Sequence, residues 1–253
     1  MLVSLLLLLF ILISLLLVIN NIYTDSKKKC IDKLIYGSVY RDKKHEFLHH
    51  EYKYINYDIN FLTELCPLPP KNTSEHTYRE LLFLEKKMKN INSEKIDIFK
   101  KLDNHATINF TSYLDKNNLK IDWNEFDELL KEIELITYRL KYIYNRPRAY
   151  QLGTYFDIPI NSQYANSGNT PAYPSGHAMI GHMCYLYLSK LYPNHKQKLY
   201  KLAKEVENSR VNVGVHYVSD GNASEIFVNN LFPYLENKLY LNNLNSTPDN
   251  IIF

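Results

Sequence analysis

Residues 123–144 read WNEFDELLKEIELITYRLKYIY, and their spacing decides the fold class. Phe126, Leu129, Leu130, Ile133, Ile136, Leu140 and Ile143 recur at intervals of three and four, the period of one apolar helix face. Asp122 stands where an N-cap is needed, and Pro147 closes the run. Further helical runs read at about Glu75 to Met88, Gly176 to Tyr192, Lys196 to Glu207 and Asp220 to Leu241. Alternating strand patterns are nearly absent, so an all-α domain is expected. The stretch from Arg148 to Tyr173, rich in Gly, Pro, Asn and Ser, reads as a loop, and no internal repeat is found.

Upstream of this domain, Leu2 to Ile19 is apolar except for Ser4 and Ser14, about the length that crosses a bilayer as a helix. A cleaved signal peptide usually has a shorter apolar core, a basic start and a small-residue cleavage site; Val18-Ile19-Asn20-Asn21-Ile22 offers none of these, so an anchor is the preferred reading. Lys27, Lys28 and Lys29 follow, and the positive-inside rule then favours a cytoplasmic domain. Sequons at Asn72, Asn109, Asn222 and Asn245 do not decide the side, because an Asn/Ser/Thr-rich chain makes them by chance. The expected organisation is an anchor or signal segment over 1–22, a linker and lead-in over 23–59, the main helical domain over 60–241 and a tail over 242–253.

The 253 residues are 45% hydrophobic and 23% charged, enough for one core once the N-terminal segment is set aside. A net charge of +3, with acidic and basic residues interspersed, argues against a nucleic-acid partner. Cys30, Cys66 and Cys184 are widely spaced without a C-x-x-C pair, which argues against zinc; Cys184 reads as a small buried hydrophobe, and Cys30 with Cys66 form a bridge only in an oxidising compartment. His182 lies five residues after His177 and no H-E-x-x-H pattern occurs, so no metal ligand and no cofactor is expected. His45, His49, His50, His76, His105 and His195 sit among charged residues and read as exposed.

Three segments carry chemistry: Arg139-x6-Arg146-Pro147, Pro174-Ser175-Gly176-His177, and Ser209-Arg210-x5-His216-x3-Asp220. Residues seven apart on an α-helix differ by about −20° around the axis, so Arg139 and Arg146 are expected on one face, gripping one phosphate. Lys141, five residues from Arg146, falls about 140° round the same helix. Ser175-Gly176-His177 opens an apolar helix whose free N–H groups and dipole attract an anion. Gly176 allows close backbone approach and Ser175 adds a hydroxyl donor. Standing alone, Ser175 would be an ordinary N-cap and His177 a first-turn histidine. An imidazole attacks phosphorus through one nitrogen when the other is held as N–H, and Asp220, four residues after His216, is within helical reach to hold it.

Together, and in this order, the three segments resemble the signature of the type 2 phosphatidic acid phosphatase (PAP2) superfamily, which includes class A non-specific acid phosphatases and vanadium haloperoxidases. Pro67-Leu68-Pro69-Pro70 resembles the proline-rich lead-in of the soluble acid phosphatases. The resemblance implies a helical-bundle domain of the acid phosphatase/vanadium haloperoxidase kind behind one transmembrane helix. It implies His216 as nucleophile, His177 as general acid and then base, Asp220 as orienter, and Arg139, Arg146, Ser175, Gly176 and Arg210 around the phosphate. The family has Lys where Arg139 stands. The expected activity is metal-independent hydrolysis of phosphomonoesters, lipid phosphates or pyrophosphates included, through a phosphohistidine. The alternatives are a vanadate-dependent haloperoxidase and an inactive membrane-anchored binding protein.

Overall fold

The computed structural model describes residues 2–37, 52–162 and 168–244; His45, His49, His50, Asn245 and the tail beyond 244 lie outside them. The described residues are helical and contain no strand, as the periodicity predicts. The helices are α1 (Leu2–Asp32), α2 (Ile59–Leu65), α3 (Glu75–Lys89), α4 (Ser93–Asn104), α5 (Ile108–Lys116), α6 (Trp123–Tyr144), α7 (Ala149–Gly153), α8 (Gly176–Leu191), α9 (Lys196–Asn212) and α10 (Val218–Leu244).

Helix α8 is the hub, with α6, α9 and α10 packed around it. That position explains its sequence, GHAMIGHMCYLYLSKL, which lacks a continuous polar face: Ala178, Met179, Met183, Cys184, Tyr187 and Leu188 are all buried. Phe126 of α6 stacks on Tyr187 with ring centroids 4.4 Å apart. The predicted stripe of α6 is buried from Phe126 to Leu140, whereas Ile143, in its last turn, is exposed. Asp122 caps α6, its side chain accepting from the N–H groups of Asn124 and Glu125. Glu132, Thr137 and Lys141 of α6 also turn inward; the Glu132 carboxylate accepts N–H bonds from Lys53, Tyr54 and Ile55 at 2.6–3.2 Å, pinning the incoming chain.

Helices α2, α4, α5 and α7 go beyond the expected set; α2 and α7, at 7 and 5 residues, are too short to show a period. Helix α7 lies in the stretch read as loop. Cys66 and Cys184 are buried and Cys30 exposed, all three unbridged; burial pushes the Cys66 thiol up to about 11, far from a reactive thiolate.

Helix α1 has 31 residues and is about 46 Å long, so it runs past the apolar segment that ends at Ile19. Its 6–19 side chains are exposed apart from a half-buried Ser14. Its far end docks on the domain: Ile31 is buried with Leu81, Leu84 and Ala149. The Asp32 carboxylate accepts from the N–H and hydroxyl of Thr73 at 2.8 and 2.9 Å. Asn72 Nδ2 donates to the carbonyls of Ile31 and Leu34 at 2.9 and 3.0 Å, which takes the buried Asn72 out of reach of glycosylation in the folded chain.

Candidate active site

The segment Arg210 to Asp220 turns sharply between α9 and α10. Gly214 makes the turn at φ +72, a conformation that favours glycine, and a Cβ there would lie 2.8 Å from Met88 Sδ and push that side chain aside. The turn swings His216 back under α9, where the Val215 N–H donates to the Arg210 carbonyl at 3.1 Å. Helix α10 starts at Val218, which places Asp220 in its first turn.

His216 is buried and its tautomer follows from its neighbours. Arg148 Nη1 lies 3.1 Å from His216 Nε2, and a guanidinium only donates, so Nε2 is the acceptor. The ring proton is then on Nδ1, 2.9 Å from Asp220 Oδ2. Burial, followed by the charges of Arg148, Lys141 and Arg210, holds the imidazole well below its ordinary range, so the ring is neutral. The ring is neutral, with its Nε2 lone pair directed at Arg148 and its Nδ1–H at Asp220.

Asp220 is held from three sides. Oδ2 also accepts the Tyr217 N–H at 3.0 Å, and Oδ1 accepts from Arg146 Nη1 at 2.6 Å. Burial pushes the carboxyl up to about 6 against the pull of Arg146, leaving it ionised at neutral pH. Arg146 itself lies on the Tyr217 ring, 3.8 Å from its centroid, and pairs with Glu80 at 3.2 Å. Although burial works to lower the Arg146 guanidinium, Asp220, Tyr217 and Glu80 outweigh it and hold it charged.

A cavity of about 390 Å³ opens beside His216. Lys141, Thr170, Gly176 and His177 line its inner part together with His216. The α8 N-terminus opens on it: Ser175 occupies the N-cap position, yet its buried Oγ makes no cap bond and has no hydrogen-bond partner. Arg210 pairs with Asp103 at 2.9 Å, packs on Phe99 and is lowered by burial to about 10. His177 Nε2 lies 3.3 Å from the Asp103 carbonyl, and burial together with Arg210 lowers its imidazole to about 3.

Of the residues read from the sequence, His177, Gly176 and His216 line this cavity, and Asp220, Ser175 and Arg210 stand immediately behind it. Arg146 is buried one layer further back, against Asp220 and Glu80, where the helix-register reading had it gripping phosphate. Arg139 is the larger correction. It is half-buried beside the Tyr52 hydroxyl and does not line the cavity. Lys141, set aside in the register reading, is the α6 cation that lines it; its Nζ donates to the Pro171 carbonyl at 2.6 Å.

The physical reason is that α6 ends at Tyr144. Asn145 adopts a left-handed conformation, φ 47 and ψ 37, so helical angles cannot be carried on to Arg146. Lys141 and Arg148 are also seven apart and both reach the site, through the end of the helix and the reversal after it. Arg148, read only as the first residue of a loop, is fully buried and makes bonds to Val215 and Thr170 carbonyls at 2.7 and 2.8 Å. Testing the spacing from Lys141 forward rather than from Arg146 back would have found the pair. Asp103 and Glu80 carried no sequence signal, since each acts only through a distant partner. His182, read as an unremarkable histidine, is buried against Glu207 at 2.9 Å, and Lys204 neutralises the same carboxylate at 2.6 Å.

Known proteins match the same region. The model of the PAP2 superfamily matches residues 132–227. A non-specific acid phosphatase of Providencia stuartii is 42% identical over 55 residues, 22% of this chain and 22% of that protein. The chain therefore aligns with less than a quarter of that relative's length. The transmembrane PAP2 type phosphatidylglycerolphosphate phosphatase of Bacillus subtilis matches with a TM-score of 0.46 and 16% identity, over 76% of this chain and 95% of that one. The matched span contains Lys141, Arg148, His177, Arg210, His216 and Asp220, so the residues gathered at this site fall in the part of the chain that is similar to the PAP2 superfamily.

Proposed function

We propose that this chain is a membrane-anchored phosphatase that hydrolyses phosphomonoesters through a phosphohistidine on His216, with no metal. The observation that carries this reading is the pairing of His216 Nδ1 with Asp220 at 2.9 Å while Nε2 meets Arg148 at 3.1 Å. The substrate phosphate sits among Lys141, Arg148, Arg210, the Ser175 hydroxyl and the first N–H groups of α8, which neutralise its equatorial oxygens. Nε2 attacks phosphorus, the P–O bond to the alcohol breaks in line, and His177 gives the leaving oxygen a proton. His177 then takes a proton from water, the water oxygen attacks phosphorus and the P–Nε2 bond breaks. The guanidinium groups of Arg148 and Arg210 beside the phosphate position repel a divalent ion, which supports metal-free chemistry. Anchoring rests on α1, whose apolar helix is long enough to cross a bilayer.

Rapid quench with labelled substrate tests the reading. The wild type should yield an acid-labile, base-stable phosphoryl-enzyme in the presence of a chelator, and His216→Ala should yield none. His177→Asn should lose more turnover on alkyl than on activated aryl phosphates, which need little protonation. A phosphoryl-enzyme that persists in His216→Ala would overturn it.

A further inference from the structure

The cavity has an asymmetric charge pattern along one helix face. Glu134, Thr137, Tyr138 and Lys141 line it at i, i+3, i+4 and i+7 of α6. Lys141 is the buried inner end and Glu134 the exposed outer end, about 10 Å apart along the axis. Ile180, one turn beyond His177 on α8, and Ala106 also line the cavity. Among the described lining residues Lys141 is the only Lys or Arg, and it belongs to the inner, phosphate-holding end. The lining carboxylates are Asp103, already paired with Arg210 at 2.9 Å, and Glu134, which has no ion pair among the described residues.

We infer that the outer half receives the alcohol part of the ester and selects substrates whose leaving group is uncharged or cationic, with Glu134 as the specificity-determining residue. This rests on the phosphatase reading above. A phosphomonoester directs one dianion to the cations and its alcohol past His177, toward Ile180, Ala106, Tyr138 and Glu134. A leaving group that is itself a phosphate meets no cation among the described residues there and faces the Glu134 carboxylate, whereas an ammonium finds a partner. A like charge beside the Glu134 carboxylate is disfavoured and an opposite charge favoured.

The test compares kcat/KM of the full chain in detergent for phosphocholine, glycerol 3-phosphate and pyrophosphate. The wild type should prefer phosphocholine and glycerol phosphate to pyrophosphate by at least about tenfold, a modest electrostatic discrimination. Glu134→Lys should raise the pyrophosphate-to-phosphocholine ratio by about tenfold or more and Glu134→Gln by a few fold, both less at 0.5 M salt. Glu134 is a surface helix position, so both variants should fold, and circular dichroism verifies it. Ratios that do not move, while ester hydrolysis continues, overturn the selectivity and leave the phosphatase reading intact. No phosphate release from any of the three by the wild type overturns both.

Discussion

Arg146 Nη1 lies 2.6 Å from Asp220 Oδ1, on the side of the carboxylate away from His216. The buried guanidinium therefore sees the candidate nucleophile only through Asp220, and its other branch is taken by Glu80 at 3.2 Å. Arg146 is thus a positioning residue, part of a line running Glu80, Arg146, Asp220, His216.

Arg146→Met should leave two buried carboxylates facing each other, with one forced to take a proton, and should destabilise the fold by about 3–5 kcal/mol, the usual loss when one partner of a buried pair is removed. Adding Glu80→Gln removes one of the two carboxylates and should recover part of that loss. Chemical denaturation of the two single variants and the double variant measures the coupling. Additive losses would mean that the pair is not the unit described.

Lys141 and Arg139 can be separated by the same logic. Lys141 is buried, held by the Pro171 carbonyl, and lowered well below the ordinary lysine range by burial and then by Arg148; a phosphate bound beside it would raise its proton affinity. Lys141→Ala should lower kcat/KM by about 10²–10³-fold, as loss of one donor aimed at a developing charge does. Arg139→Ala should change it by less than about threefold, since Arg139 stands outside the cavity. One aryl phosphate at fixed pH suffices, and the reverse order would restore the helix-register assignment.

These two residues also mark what the sequence could convey. Helices with a long apolar period were legible: α3, α6, α8, α9 and α10 lie within a few residues of their expected bounds, because burial of one face imposes the period. His216 and Asp220, four apart, could be paired from spacing alone, although the reach is made by the bend that leads into α10 and not by a helical turn, since α10 starts at Val218. The cation set was not legible in the same way. Spacing is a guide only while the helix lasts, and the left-handed Asn145 breaks the register between Arg139 and Arg146. Contacts such as Arg210 with Asp103 or Arg146 with Glu80 join helices far apart in sequence, and no local pattern encodes them.

The junction of α1 with the domain predicts where the chain can be cut. Deleting residues 2–20 removes exposed apolar surface and should give a folded, active enzyme in water. Deleting residues 2–37 should lower Tm by several degrees, because Asn72 Nδ2 loses both carbonyl acceptors and Ile31 leaves its cluster. It should also lower kcat, because Tyr36 Oη donates to the Gly168 carbonyl at 3.2 Å, two residues from the Thr170 carbonyl that holds Arg148. Thermal melts and kcat of the two truncations, compared in the same buffer, decide it; equal behaviour would mean that the docked turn of α1 contributes nothing to the site.

The last prediction concerns protons. In the free site burial and Arg210 keep His177 at about 3, against 6.5 for an ordinary histidine. A folded value below the unfolded one favours the fold while the ring is neutral, above about 6.5, and that contribution is lost as pH falls toward 3. His216, also lowered, acts in the same direction; Asp220, raised to about 6, binds a proton earlier in the folded state and offsets part of the loss between 6 and its ordinary 3.8. An anion bound among Lys141, Arg148 and Arg210 cancels the positive field that depresses both rings, so their affinity for protons must rise on binding. Sulfate is a suitable probe because it stays a dianion throughout this range. At pH 5.5, calorimetric titrations in two buffers of different ionisation enthalpy should show net proton uptake when sulfate binds. His177→Asn should reduce that uptake, and sulfate should protect the wild type against heat more strongly at pH 5.5 than at pH 7.5. Binding without proton uptake in the wild type would mean that His177 is not coupled to the anion, and its role as the acid that protonates the leaving alcohol would fall with it.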